Sequence, residues 1–147
     1  MEIRRTKDAD LIASVINACP EWNEELWVDK DFFKNLKQGW VAYEEGKAVG
    51  CVILNESDGQ CEYSGLAVIP EFRGKGISKK LSEAVFAYCR KNKIKKIYAV
   101  TRLYGLVGKL GFRETDFKEL AEGFQACLVC PKRGKTCNPK AYAKEIK

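Results

Sequence analysis

Apolar residues along the chain change their spacing several times, and each change marks an element. Glu2-Ile3-Arg4-Arg5-Thr6 forms a short first strand. Asp8 or Asp10 then caps a helix whose apolar positions Leu11, Val15 and Ala18 recur at helical spacing, up to Pro20. Residues 21–38 hold an acidic connection containing Trp22 and Trp27, with a second short helix around residues 31–36. The period then shortens. Trp40-Val41-Ala42-Tyr43 and residues 48–54 flank Glu44-Glu45-Gly46-Lys47, a hairpin signal. Ser57-Asp58-Gly59 marks the next turn, and residues 61–69 make a further strand that stops at Pro70. Ile77, Leu81, Ala84, Val85 and Tyr88 fall on one stripe of an amphipathic helix. Ile97-Tyr98-Ala99-Val100 is a buried type of strand. A short helix near 103–110 is stopped by Gly111, a strand starts at Phe112, and a last strand runs from Gly123 to Cys130. With no repeat and no linker, the pattern predicts one mixed α/β domain over residues 1–147: a hairpin-connected sheet, then a strand–helix–strand crossover.

Composition narrows the class. The hydrophobic fraction is 46% of 147 residues, enough for a folded core, and nothing resembles a signal peptide or a membrane span. The expected compartment is the cytoplasm. Charge is unevenly placed: residues 1–72 carry 7 basic and 14 acidic side chains, whereas residues 73–102 carry 10 basic and one acidic. That basic centre suits a polyanionic ligand or a solvated helix face. Seven cysteines without an export signal point to thiols or metal ligands rather than disulfides. Cys127 and Cys130 with Cys137 nearby give half of a zinc site in a tail at about 127–147. The chain has no histidine to complete it, and free thiols are the competing reading.

The most informative stretch runs from Leu66 to Ser78, where a strand delivers the chain to a turn and the turn opens a helix. Gly74 and Gly76 let the backbone approach a ligand, and the helix start adds unpaired N–H donors and positive dipole. This is an anion site suited to a pyrophosphate, to which Arg73 and Lys75 add charge. The spacing fits neither the three-glycine dinucleotide fingerprint nor the P-loop.

Arg73-Gly74-Lys75-Gly76-Ile77-Ser78, with Leu66-x-Val68-x-Pro70 before it and Leu110-Gly111-Phe112-Arg113 after it, resembles the GNAT acetyltransferase superfamily. The resemblance covers roughly residues 2–130 and is sharpest over 66–92. It implies a GNAT-like, mostly antiparallel sheet of six to seven strands flanked by helices. The implied order is one strand, two helices, three strands, a helix, a strand, a helix and two strands. It also implies acetyl-CoA as cosubstrate and a primary amine of a small molecule, amino acid or peptide as acceptor. The backbone of Leu66, Ala67 and Val68 would hold the pantetheine arm, and residues 73–78 the pyrophosphate. Glu62, the sole acid within residues 59–70, is the candidate base.

Two positions depart from the family pattern. Ser78 replaces the usual glycine or alanine, and Val107 stands where many members place a tyrosine that protonates the thiolate. Tyr104, one turn earlier, is the substitute acid or a packing residue. The tail, Cys127-x-x-Cys130-Pro131-Lys132 with Cys137-x-Pro139-x-Ala141, resembles the N-acetylglutamate-synthase-like amino-acid acetyltransferases. Against an acidic acceptor stand Glu21, Glu24, Glu25, Asp29 and Asp31, which precede a helix at the rim of the acceptor cleft in that family. Two alternatives remain at this point: an acetyl-CoA sensor without turnover, and a nucleic-acid binder using the basic 73–102 segment.

Overall fold

The computed structural model describes residues 1–20, 30–101, 104–124 and 140–147. Its centre is a seven-stranded sheet built from β1 (Glu2–Thr6), β2 (Leu36–Glu44), β3 (Lys47–Ser57), β4 (Gln60–Val68), β5 (Lys96–Thr101), β6 (Arg113–Thr115) and β7 (Lys140–Glu145). The spatial order is β1-β2-β3-β4-β5-β7-β6. Every neighbouring pair is antiparallel except β4 and β5, which run parallel. Three helices accompany it among the described residues: α1 (Ala9–Asn17), α2 (Ile77–Lys91) and α3 (Tyr104–Lys109).

Local chemistry explains the framework. Asp8 caps α1 by accepting from the Leu11 N–H. The two hairpin turns place Glu45 and Gly46, then Asp58 and Gly59, in left-handed conformation. Successive residues with positive φ make the tight turn whose twist matches the flanking strands. Helix α2 supplies the crossover that a parallel β4–β5 pair requires.

The sheet is covered on both faces. On one side α2 buries Ile77, Leu81, Val85 and Cys89 against Trp40, Val52, Leu54, Tyr63 and Ile97. On the other, α1 buries Ile12, Val15, Ile16 and Cys19 against Val41, Cys51, Ile53 and Ala67. A third cluster joins Tyr98 and Ala141 to Leu120 and Phe124.

Several expectations are corrected. The buried stripe of α1 is not Leu11, Val15 and Ala18: Ile12 and Ile16 replace the first and last, and Ala18 faces solvent. Residues 31–36 are no α-helix. A 3-10 turn spans Lys30–Phe33, where Phe32 and Phe33 meet edge-to-face, and Leu36 already pairs with Asn55 in the sheet. In the expected strand at 123–130, Gly123 and Phe124 belong to a 3-10 turn, because Phe124 plugs the third cluster. Residues 125–130 lie outside the described residues. The unexpected strand is β7, which enters between β5 and β6.

Candidate active site

The site begins with a fault in β4. Ser64 pairs with Ile53 and Ala67 with Cys51, so Val52 alone opposes both Gly65 and Leu66. This is a β-bulge, and Gly65 occupies it at φ +63°. A Cβ there would press on Ile53 at 3.3 Å and on the Phe32 ring at 3.6 Å. The extra residue reverses which side chains face which helix. Cys61 and Tyr63 face α2 before the bulge, Leu66 and Val68 face it afterwards, and Ala67 turns toward α1.

The bulge also parts the strands. Pairing of β4 with β5 consists of Cys61 with Ile97 and Glu62 with Tyr98, and stops there. Beyond Glu62 the backbone of β4 is left open on its β5 side. A cleft of about 360 Å³ lies along it, lined by Leu66, Ala67, Val68, Phe72, Arg73, Gly74, Gly76, Ile77, Ser78 and Leu106. Every candidate cosubstrate residue named from sequence lines this cleft except Lys75, which is exposed beside it with its ammonium 5.3 Å from the centre of the Phe72 ring.

The far end of the cleft is the α2 start. Gly74 and Gly76 both have φ +79°, and a Cβ at either would meet nothing within 4 Å. The backbone therefore faces open space, and the first turn of α2 points its unpaired N–H groups there. Arg73 Nε donates to the Val68 carbonyl at 2.8 Å, tying the turn to the end of β4. Inside, Tyr63 Oη and Ser82 Oγ are 2.7 Å apart, and Ser82 Oγ donates to the Ser78 carbonyl at 2.8 Å. Burial raises the Tyr63 phenol to about 12, against the pull of Ser82. This buried relay carries no recognisable spacing in the sequence.

Glu62 lies on the face of β4 opposite Tyr63. Burial pushes its carboxyl up to about 7, while the Asn55 amide, donating to Glu62 Oε1 at 3.0 Å, pulls it down. A carboxyl poised near neutrality has the basicity that proton abstraction at neutral pH requires. Val107 is 3% exposed and packs in the α2-side core, so no acid occupies that position. Tyr104 opens α3, and its side chain lies outside the described residues, as do the acidic run at 21–29, the side chain of Asp31, and Cys127, Cys130 and Cys137. Among the described residues no cluster of potential metal ligands occurs, and no helix is long and apolar enough to cross a membrane.

Comparison with known proteins agrees with this geometry. An uncharacterised N-acetyltransferase of Chlorobaculum tepidum is 26% identical over 119 residues, 80% of this chain and 76% of that protein. N-acetylglutamate synthase of Neisseria gonorrhoeae, solved with coenzyme A and N-acetylglutamate, superposes with a TM-score of 0.77 at 19% identity over all of this chain. This chain spans 36% of that larger one. The Mycobacterium tuberculosis protein Rv2747, solved in complex with CoA, gives 0.79 at 15% identity, each chain fully covered. Residues 9–112 match the acetyltransferase (GNAT) family, and with an opened fourth strand leading to a glycine turn and a helix, the chain belongs to that family of acyltransferases.

Proposed function

We propose that the protein transfers the acetyl group of acetyl-CoA to a primary amine of a small molecule, amino acid or short peptide. The observation that carries this reading is the parting of β4 from β5 directly after Glu62. It leaves a carboxyl of raised pKa on the same strand as the open backbone of Leu66, Ala67 and Val68.

The residues fit acetyl-CoA from end to end. The backbone at Gly74 and Gly76 and the first turn of α2 receive the pyrophosphate, with Lys75, Lys79 and Lys80 exposed nearby to add positive potential. The β4 backbone hydrogen-bonds the pantetheine arm and orients the thioester. Glu62 takes a proton from the ammonium, directly or through water. The amine nitrogen then bonds to the carbonyl carbon, and as the C–S bond breaks the nitrogen's second proton passes through water to the departing sulfur, releasing the thiol form of CoA. A thiol is an adequate leaving group at neutral pH, so a buried valine at position 107 is compatible with turnover.

In the family the segment after the first helix borders the acceptor site, so the acidic residues Glu21, Glu24, Glu25, Asp29 and Asp31 in that segment of the sequence support a cationic acceptor over glutamate. Thiol release from acetyl-CoA, followed over a panel of lysine, a polyamine, a peptide N-terminus and glutamate, tests the reading. Turnover with at least one amine is expected. Acetyl-CoA binding without turnover on any amine would favour the sensor.

A further inference from the structure

One buried atom is left over by this account. Asn55, on β3, is 7% exposed, and its Nδ2 donates to Glu62 Oε1 at 3.0 Å. Its Oδ1 is buried with no hydrogen-bond partner, the sole such side-chain atom among the described residues. Buried acceptors are nearly always satisfied, so an exception next to a candidate base calls for a donor from outside the protein.

The surroundings sharpen this. Asn55 pairs across the sheet with Leu36 on one side and Glu62 on the other, and Glu62 pairs with Tyr98. The polar pair thus sits in the seam between two apolar clusters, one holding Phe32 and Leu36 and the other Tyr98, Leu120 and Phe124. Packing alone would favour an apolar residue there. Two further ionisable groups among the described residues are engaged elsewhere. The Glu119 carboxylate accepts from the Thr115 hydroxyl, and Lys37 pairs with Glu56. Among the described residues Tyr98, from β5, is a further titratable neighbour, paired with Glu62. The oxygens that Asn55 and Glu62 leave available are both acceptors, so a complementary ligand brings at least two hydrogen-bond donors, as an ammonium group does, and no carboxylate.

We propose that Asn55 completes the acceptor-amine seat: its NH2 group fixes the Glu62 carboxylate, and its carbonyl oxygen takes a second N–H of the incoming primary amine. The inference rests on the reading of Glu62 as the base. After one proton passes to Glu62, the amine keeps two N–H bonds. Holding one of them on Asn55 Oδ1 aims the nitrogen lone pair rather than leaving it free to rotate. A primary amine therefore has a partner for each acceptor, whereas a tertiary amine, with a single N–H even when protonated, does not.

Asn55→Leu keeps the volume and dryness of the seam but removes both polar functions, whereas Asn55→Asp restores an acceptor without the donor. With the best acceptor of the panel, Asn55→Leu is expected to raise KM for the amine about tenfold or more, with Asn55→Asp recovering most of that loss. Acetyl-CoA affinity by isothermal titration should not change. Carbon-13 NMR of the Glu62 carboxyl, assigned with Glu62→Gln, should show its midpoint rising in both variants, because the amide donation that favours the carboxylate is gone. Unchanged amine KM together with an unchanged Glu62 midpoint in Asn55→Leu would overturn the proposal. The two readings fail separately. Full turnover in Glu62→Gln removes the base, whereas a dead Glu62→Gln beside an unaffected Asn55→Leu removes only the seat.

Discussion

Glu62 is the residue on which rate and stability pull in opposite directions. If it acts as base, kcat/KM rises with pH through a midpoint near 7 and then levels, and Glu62→Gln lowers turnover about 10²-fold or more while flattening that limb. Its folded-state pKa is raised above the ordinary carboxylate value of 4.5, so between pH 4.5 and about 7 the folded protein binds more protons than the unfolded chain. Stability contributed by this group is therefore full below 4.5 and lost as pH climbs through 7. Glu62→Gln removes that loss, and its amide can also donate to the orphaned Asn55 oxygen. Urea denaturation at pH 8 should find the inactive variant more stable than the parent, and a less stable variant would contradict the burial argument. In the glycine turn that lines the cleft, Gly76→Val forces a β-branched residue to φ +79° and fills the open side of the turn. Titration of acetyl-CoA should show binding lost in a folded Gly76→Val protein and only weakened in Lys75→Ala. Gly74, Gly76 and Glu62 stand out as candidates because glycine and acid patterns mark themselves in sequence. Asn55 does not, since its meaning depends on a partner across a hairpin.

At the scale of elements, the Tyr63–Ser82–Ser78 relay joins β4 to the start of α2, the two pieces that frame the cleft. Its halves are unequal. Tyr63→Phe leaves Ser82 bonded to the Ser78 carbonyl and should cost about 1 kcal/mol. Ser82→Ala strands a buried phenolic hydroxyl and should cost more, up to about 3 kcal/mol. Chemical denaturation of the two variants checks the order, and equal losses would mean the hydroxyl finds water. Periodicity identifies α2 and its buried Ile77, Leu81 and Val85 but adds the half-buried Ala84 and Tyr88, whereas Phe86 and Cys89 are the more deeply buried. A serine on the buried face hid the true axis. The bulge at Gly65 was also illegible. Residues 61–69 simply look like an alternating strand, and the two-against-one pairing is set by β3. Strand β7 escaped notice because Lys140-Ala141-Tyr142-Ala143 has weak strand propensity and gains its place from two flanking strands.

For the whole molecule, charge is the organising quantity. Lys79 and Lys80 are exposed in the first turn of α2 beside the phosphate turn, and Arg90, Lys91, Lys93, Lys95 and Lys96 are exposed at the far end of that helix and beyond it. Acetyl-CoA association should therefore slow as salt rises, and preference for lysine or polyamine over glutamate should shrink with it. Stopped-flow association and initial rates at low and high salt read both. Glutamate winning by tenfold, about 1.4 kcal/mol of selectivity, would show that descent outweighs local charge. The position of β7 has a consequence for how the chain is made. During synthesis residues emerge in order, yet among the described strands β6 pairs with β7 alone, and β5 keeps one edge open until β7 arrives. A nascent chain arrested before residue 140 should hold the β1–β5 sheet protected while amides at 113–115 exchange freely. The last stage of folding is then an insertion, which closes both edges in one step.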